Sequence, residues 1–185
     1  MKLNTSLLDL YENSEQEQLI LRLQRIVNQL ESPPLDDLFD ILDDTMDINL
    51  SGICLECLYV NRNQILPQLI QKFETSSSKK LQTTLMTLFC IKPTLELLLF
   101  IIKKYLADIS LRPQIQQSVF KDKQALLLGL TYYVEESPLS PKDKTVVEEL
   151  LCTIPRKEFT ATQGKIAHLK IYDLYLSIDP KKRHL

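Results

Sequence analysis

The sequence predicts an all-α fold, of stacked antiparallel helical hairpins or an irregular helical bundle, on three observations. Only three glycines, Gly52, Gly129 and Gly164, occur in 185 residues. Tight hairpins, Rossmann turns and phosphate-binding loops all need glycine for positive φ or close backbone approach. Leu, Ile, Gln, Lys and Glu dominate while Val is sparse and Trp absent, a balance that disfavours strands by propensity. Apolar residues also return at helical spacing between breaks made by Pro and Ser, the period of a rod packed on one side. With 44% hydrophobic and 25% charged residues, a packed globular core is expected. The organisation read from this is one all-α domain over 1–180 and a flexible basic tail over 181–185.

From the N-terminus, residues 3–12 suit a short lead-in helix. Ser14 and Glu17 have the spacing of a capping box and predict the start of the next helix, with Leu19, Leu23, Ile26, Val27 and Leu30 on one face until Ser32-Pro33-Pro34. From Leu35 to Ile48 the apolar stripe is Leu35, Leu38, Phe39, Leu42 and Met46, and the opposite face is acidic. Leu50, Ile53, Cys54, Cys57 and Leu58 form the following stripe. Asn61-Arg62-Asn63 predicts a turn before a shorter helix from Gln64 to Glu74, giving a helical hairpin.

Thr75-Ser76-Ser77-Ser78 reads as a flexible linker leading into Leu81, Leu85, Leu88 and Phe89. Pro93 is placed at the first position of the next helix, where a missing N–H is harmless, and Thr94–Ala107 is apolar nearly all round, as the most buried helix would be. Pro113 separates off a short helix from Gln114 to Phe120, followed by a longer one from Lys123 to Glu136. Ser140 as cap, Pro141 at the first position and Asp143 in the first turn then start a helix that runs to Cys152. A last helix is placed from Thr162 to Ile178, through Ile166, Leu169, Ile171 and Leu174.

Ile65-Leu66-Pro67-Gln68-Leu69-Ile70 and Pro93-Thr94-Leu95-Glu96-Leu97-Leu98 take equivalent places in two successive hairpins, Ser51–Glu74 and Lys79–Ala107. On these residues, segment 50–107 resembles HEAT or armadillo-type helical repeats. That resemblance implies a HEAT-like short solenoid with a concave partner surface and no catalysis.

Several motifs invite a chemical reading. Cys54-Leu55-Glu56-Cys57 is a CxxC, but zinc needs four ligands and no second pair exists, so both thiols read as packing on an apolar stripe. Asp47-Ile48-Asn49-Leu50-Ser51-Gly52 imitates the first half of a calcium loop, yet the twelfth position is Leu58 where a glutamate should stand, so the segment reads as a turn. His168 stands alone near Tyr172, and no serine lies in a nucleophile-elbow setting. No metal, no cofactor and no catalytic residue is therefore assigned.

The net charge of −2 conceals an asymmetry. Residues 1–60 hold three basic and twelve acidic residues, a balance of −9, and residues 61–185 hold nineteen and twelve, a balance of +7. Asp36, Asp40, Asp43, Asp44 and Asp47 line one face, where like charges at helical spacing repel unless something basic meets them. Lys79, Lys80, Lys103 and Lys104 belong to a series of paired lysines near helix ends.

These nine residues are the candidate contact residues of a non-catalytic protein–protein interaction module, an adaptor or scaffold. The alternative is nucleic-acid or polyanion binding through the lysine clusters of residues 79–183, and a third reading is a small helical enzyme or metal protein. Nucleic acid is the less favoured partner, and self-association is left open. Met1–Leu10 has no unbroken apolar run, and the longest such run, Leu97–Ile102, has six residues. A secretory signal and a membrane span both need more, so a soluble cytoplasmic protein with reduced thiols is expected.

Overall fold

The computed structural model describes residues 5–159 and 169–183, all helix, turn or loop, with no strand among them. The chain divides into two compact units, Met1–Leu88 and Phe89–Leu185.

The first unit starts with α1 (Leu7–Glu12). Ser6 caps it: its Oγ accepts from Asp9 N at 2.9 Å, and Ser6 N donates to Asp9 Oδ2 at 3.1 Å. This is the reciprocal capping box, with Asp in the place usually held by Glu. The box expected at Ser14 does not form. Ser14 instead closes α1 with φ 58°, donating its N–H to Tyr11 O while Glu15 N reaches Leu10 O at 2.9 Å. Helix α2 (Gln16–Val27) follows without a side-chain cap, and Gln29, also at φ 58°, ends it in the same way. In both places the closing hydrogen bonds hold a non-glycine residue in the left-handed region, where glycine is the usual occupant.

Helix α3 (Leu35–Asp44) buries Leu38, Phe39, Ile41 and Leu42. Met46 does not continue that stripe: Thr45 ends the helix in extended geometry, and Met46 lies in the corner that follows, 88% exposed. Asp47 then caps α4 (Ile48–Thr75), accepting from Asn49 N at 2.8 Å and Leu50 N at 3.3 Å. The calcium-like segment is thus a helix start, rather than the turn expected there.

No turn forms at Asn61-Arg62-Asn63, and α4 runs unbroken for 28 residues. Asn61 is buried and donates its Nδ2 to Cys57 O at 2.8 Å within the helix, so its amide is satisfied without leaving the ladder. Pro67 deprives the Asn63 carbonyl of its usual partner. Both residues are exposed, so water can take its place. The first hairpin of the repeat reading is therefore one helix.

Helices α1 and α4 each pack on both α2 and α3. A ring of four neighbours results, around Leu7, Leu10, Leu23, Ile26, Leu38, Leu42, Cys57 and Leu58. Fully burying a side chain of this size contributes roughly 1.5–3 kcal/mol, which is why the short α1 and α3 are held although neither would persist alone. Ser76–Ser78 is well tied rather than loose. Gln82 Nε2 donates to Ser76 O at 2.9 Å and to Phe73 O at 3.2 Å, and Leu81 N donates to Ser78 Oγ at 3.2 Å as α5 (Lys79–Phe89) begins.

The second unit is centred on α8 (Lys123–Glu136), which packs on α6 (Leu95–Ala107) and on α10 (Lys170–Ser177). Thr94 caps α6, whose first residue is Leu95, so Pro93 lies just before the cap and not at the expected first helical position. Its six buried residues, Leu97, Leu98, Ile101, Ile102, Tyr105 and Leu106, bear out the expected burial. Pro113 lies in the first turn of α7 (Arg112–Gln117), so the short helix begins before it. Arg112 closes the end of α6, its Nε donating to Tyr105 O at 2.9 Å.

Helix α9 (Pro141–Cys152) starts as expected, with Ser140 Oγ accepting from Asp143 N at 3.1 Å, and it packs on α10. Leu169 is extended and precedes α10, so no continuous helix carries it, and the expected start at Thr162 lies outside the described residues. At the far end Arg183 donates its Nε to Ile178 O at 2.9 Å, and its guanidinium lies 5.2 Å from the Tyr175 ring centre.

Two helical glycines differ in what surrounds them. A Cβ on Gly129 of α8 would lie 2.6 Å from Ile102 Cδ1 and 2.7 Å from Leu98 Cγ, both on α6. One on Gly52 of α4 would meet nothing within 4 Å. Alanine gains up to about 1 kcal/mol of helix propensity at either site, but crowding a packed seam costs about 1–3 kcal/mol. Urea denaturation should therefore show Gly129→Ala destabilised by about 1 kcal/mol or more and Gly52→Ala stabilised by about 0.5–1 kcal/mol.

Candidate interaction surface

The six aspartates between Asp36 and Asp47 do different work. Asp37, on the α1 side of α3, accepts through Oδ2 from Leu7 N at 2.7 Å and Leu8 N at 3.2 Å. A carboxylate there meets the unpaired N–H groups and positive dipole end of α1. Asp44 Oδ2 accepts from the Tyr11 hydroxyl at 2.7 Å, and that bond raises the phenol's pKa by favouring the protonated form. Asp43 accepts from the Ser78 hydroxyl, and Asp47 caps α4. Asp36 and Asp40 are exposed.

Of the candidate lysines, Lys80 is placed by its own unit. Its Nζ donates to Asp43 O at 2.6 Å and Thr45 O at 2.8 Å, at the carbonyl end of α3, where a cation meets the negative dipole end. Lys79 beside it is exposed. In the second unit Lys104 Nζ lies 5.2 Å from the Phe100 ring centre and Lys103 is exposed. The lysine and aspartate candidates thus separate into groups with different tasks. Asp37 and Tyr11 were missed as members of this arrangement because their partners lie about thirty residues away, beyond any local spacing rule.

What remains outward-facing at the α3–α4 corner is apolar. Met46 is 88% and Ile48 86% exposed, with the exposed Asp43, Asp44 and Asp47 in the same short stretch. Along α4 the helical spacing puts Ile48, Gly52, Leu55 and Tyr59 in one line. Leu55 and Tyr59 are half-buried, and the Arg62 guanidinium lies 4.6 Å from the Tyr59 ring centre.

The thiols of Cys54 and Cys57 face the other way. Both are fully buried, and Cys57 Sγ lies 3.4 Å from Leu23 O as donor. Burial pushes both up to about 12, because the low-polarity interior disfavours the thiolate. Nucleophilic and metal chemistry both use the thiolate, so these side chains are packed as neutral groups. Among the described residues no group of three or more His, Cys, Asp or Glu side chains is arranged to hold a metal ion. No described helix is long and apolar enough to cross a membrane. His168 lies outside the described residues.

Comparison with protein-family models, with curated proteins and with solved structures returns no match.

Removing the carboxylate that serves a helix end should separate the aspartates by denaturation. Asp37→Ala is expected to cost about 1–2 kcal/mol, on the scale of a lost cap, and Asp36→Ala and Asp40→Ala to change stability by less than about 0.5 kcal/mol. The buried thiols set a second expectation. Their folded pKa values are raised, so their contribution to stability is whole below the ordinary thiol value of 9.0 and is lost as pH rises towards about 12. Unfolding free energy should fall with pH above about 9, and Cys54→Val with Cys57→Val should flatten that fall.

Proposed function

We propose that the chain is a non-catalytic protein-interaction module and that the α3–α4 corner of its first unit is a contact surface. The observation that carries this is the near-complete exposure of Met46 and Ile48, 88% and 86%, two residues apart at one corner. Keeping two such side chains in water forgoes roughly 1.5–3 kcal/mol each relative to burial, and neighbouring exposed apolar groups on a folded domain commonly mark a contact. Methionine adds adaptability, since its unbranched thioether fits irregular partner surfaces.

The polar groups of the interior are taken up by the fold. Thr45 accepts from Asp47 N at 3.1 Å, Asn61 donates to Cys57 O, and Thr131 donates to Leu127 O at 2.7 Å. Among the described residues every buried side-chain nitrogen and oxygen has a hydrogen-bond partner.

The test is affinity capture from the cells that make the protein, using the native chain and the Met46→Ser, Ile48→Ser variant. Both substitutions lie on the surface and should shift stability by less than about 0.5 kcal/mol. A partner held by the native chain and released by the double variant is expected. Identical capture by the two proteins would remove the corner from consideration.

A further inference from the structure

We infer that the line Ile48–Gly52–Leu55 on α4 receives a helix of another protein with basic residues along its edges, crossing closest at Gly52. This rests on the interaction reading above and adds the form and charge of the partner.

Gly52 is the starting point because nothing among the described residues requires it. A helical glycine forfeits stability relative to alanine, and glycine is tolerated at such a position when φ is positive or space is short. The φ of Gly52 is not positive, and the place its Cβ would occupy is open to 4 Å. It sits in line with Ile48 and Leu55, one turn from each. A missing Cβ in an apolar line lets a second backbone come close, and the same molecule uses this device where Gly129 brings α8 against Leu98 and Ile102 of α6. At Gly52 the dip faces outward, bounded by Ile48 on one side and Leu55 on the other.

Charge then selects the occupant. Asp43, Asp44 and Asp47 at the corner and Glu56, one turn beyond Gly52, are all exposed. The Lys80 ammonium is bound to the Asp43 and Thr45 carbonyls. Residues 1–88 carry seven basic and thirteen acidic residues. Such a surface attracts lysine and arginine and repels nucleic acid and anionic lipid. An amphipathic helix with a small apolar face and basic edges satisfies both features, the groove-and-anchor mode of helix recognition.

The probe is a stapled amphipathic peptide with a leucine–alanine face and lysine edges, compared with an otherwise identical peptide carrying glutamate edges, each titrated against the full chain by fluorescence anisotropy. The lysine peptide should bind and weaken as salt is added, the glutamate peptide should not, and amide shifts should fall on residues 44–59. Gly52→Leu should weaken binding about tenfold or more without lowering the unfolding midpoint, and Glu56→Lys should weaken it several-fold. Equal binding of the two peptides, unchanged binding by Gly52→Leu, or retention of neutral phosphatidylcholine vesicles in place of the peptide would overturn the inference. A cellular partner that depends on Met46 and Ile48 but ignores both Gly52→Leu and salt would overturn it while leaving the module reading in place. Identical capture by the native chain and the Met46→Ser, Ile48→Ser variant would remove both.

Discussion

The first unit depends on α4 staying helical through a stretch that carries a strong local turn signal and a proline. Asn-Arg-Asn followed four residues later by Pro is the composition of a chain reversal. It is overridden because Cys57, Leu58, Ile65, Leu69 and Phe73 are all buried on one continuous side of the helix, and breaking the rod would expose part of that row. Proline in a helix interior costs about 3 kcal/mol, comparable to burying one or two of these side chains. Here the residue bearing the freed carbonyl, Asn63, is exposed and Asn61 is satisfied internally, so burial wins.

From that helix the rest of the unit follows. A rod of 28 residues gives α2 and α3 a shared platform, and α1 lies across both. It also forces the connection from α3 to be sharp, since Thr45 is already buried and Asp47 already caps the next helix. Only Met46 is left between them, and it is turned outward with Ile48. The apolar corner is thus a by-product of placing two helix ends three residues apart, with carboxylates on either side of it. Asp47 is positioned by the helix start it caps, Asp43 by the Ser78 hydroxyl and Asp44 by that of Tyr11.

Local signals were read well where the chemistry stays within one turn. Ser140-Pro141 with Asp143 set the start of α9, and the apolar period of Lys123–Glu136 matched α8 at both ends. They failed where one residue type serves two purposes. Ser14 has the spacing of an N-cap but closes the preceding helix, and Ser6 does the capping with an aspartate partner that the usual Glu pattern passes over. The acidic row was visible as a row, but the destinations of its members were not. Asp37 serves backbone donors about thirty residues before it and Asp43 meets Ser78 and, through its carbonyl, Lys80, pairings that only the packing of α1, α3 and α5 creates. Met46 had the right period to be core, and one residue of helix termination reversed it.

Gly129 carries a consequence of a different sort, for how the sequence is free to drift. The separation of α6 and α8 is set by a single absent methyl group facing Leu98 and Ile102, so any change that keeps the seam closed must remove carbon from α6 when it adds carbon to α8. Residues 98, 102 and 129 are in that sense one inherited unit, in which substitutions are expected to arrive as compensated pairs. In residues 1–88 the one helical glycine, Gly52, has open space around it, so that position is not tied to a neighbour in this way.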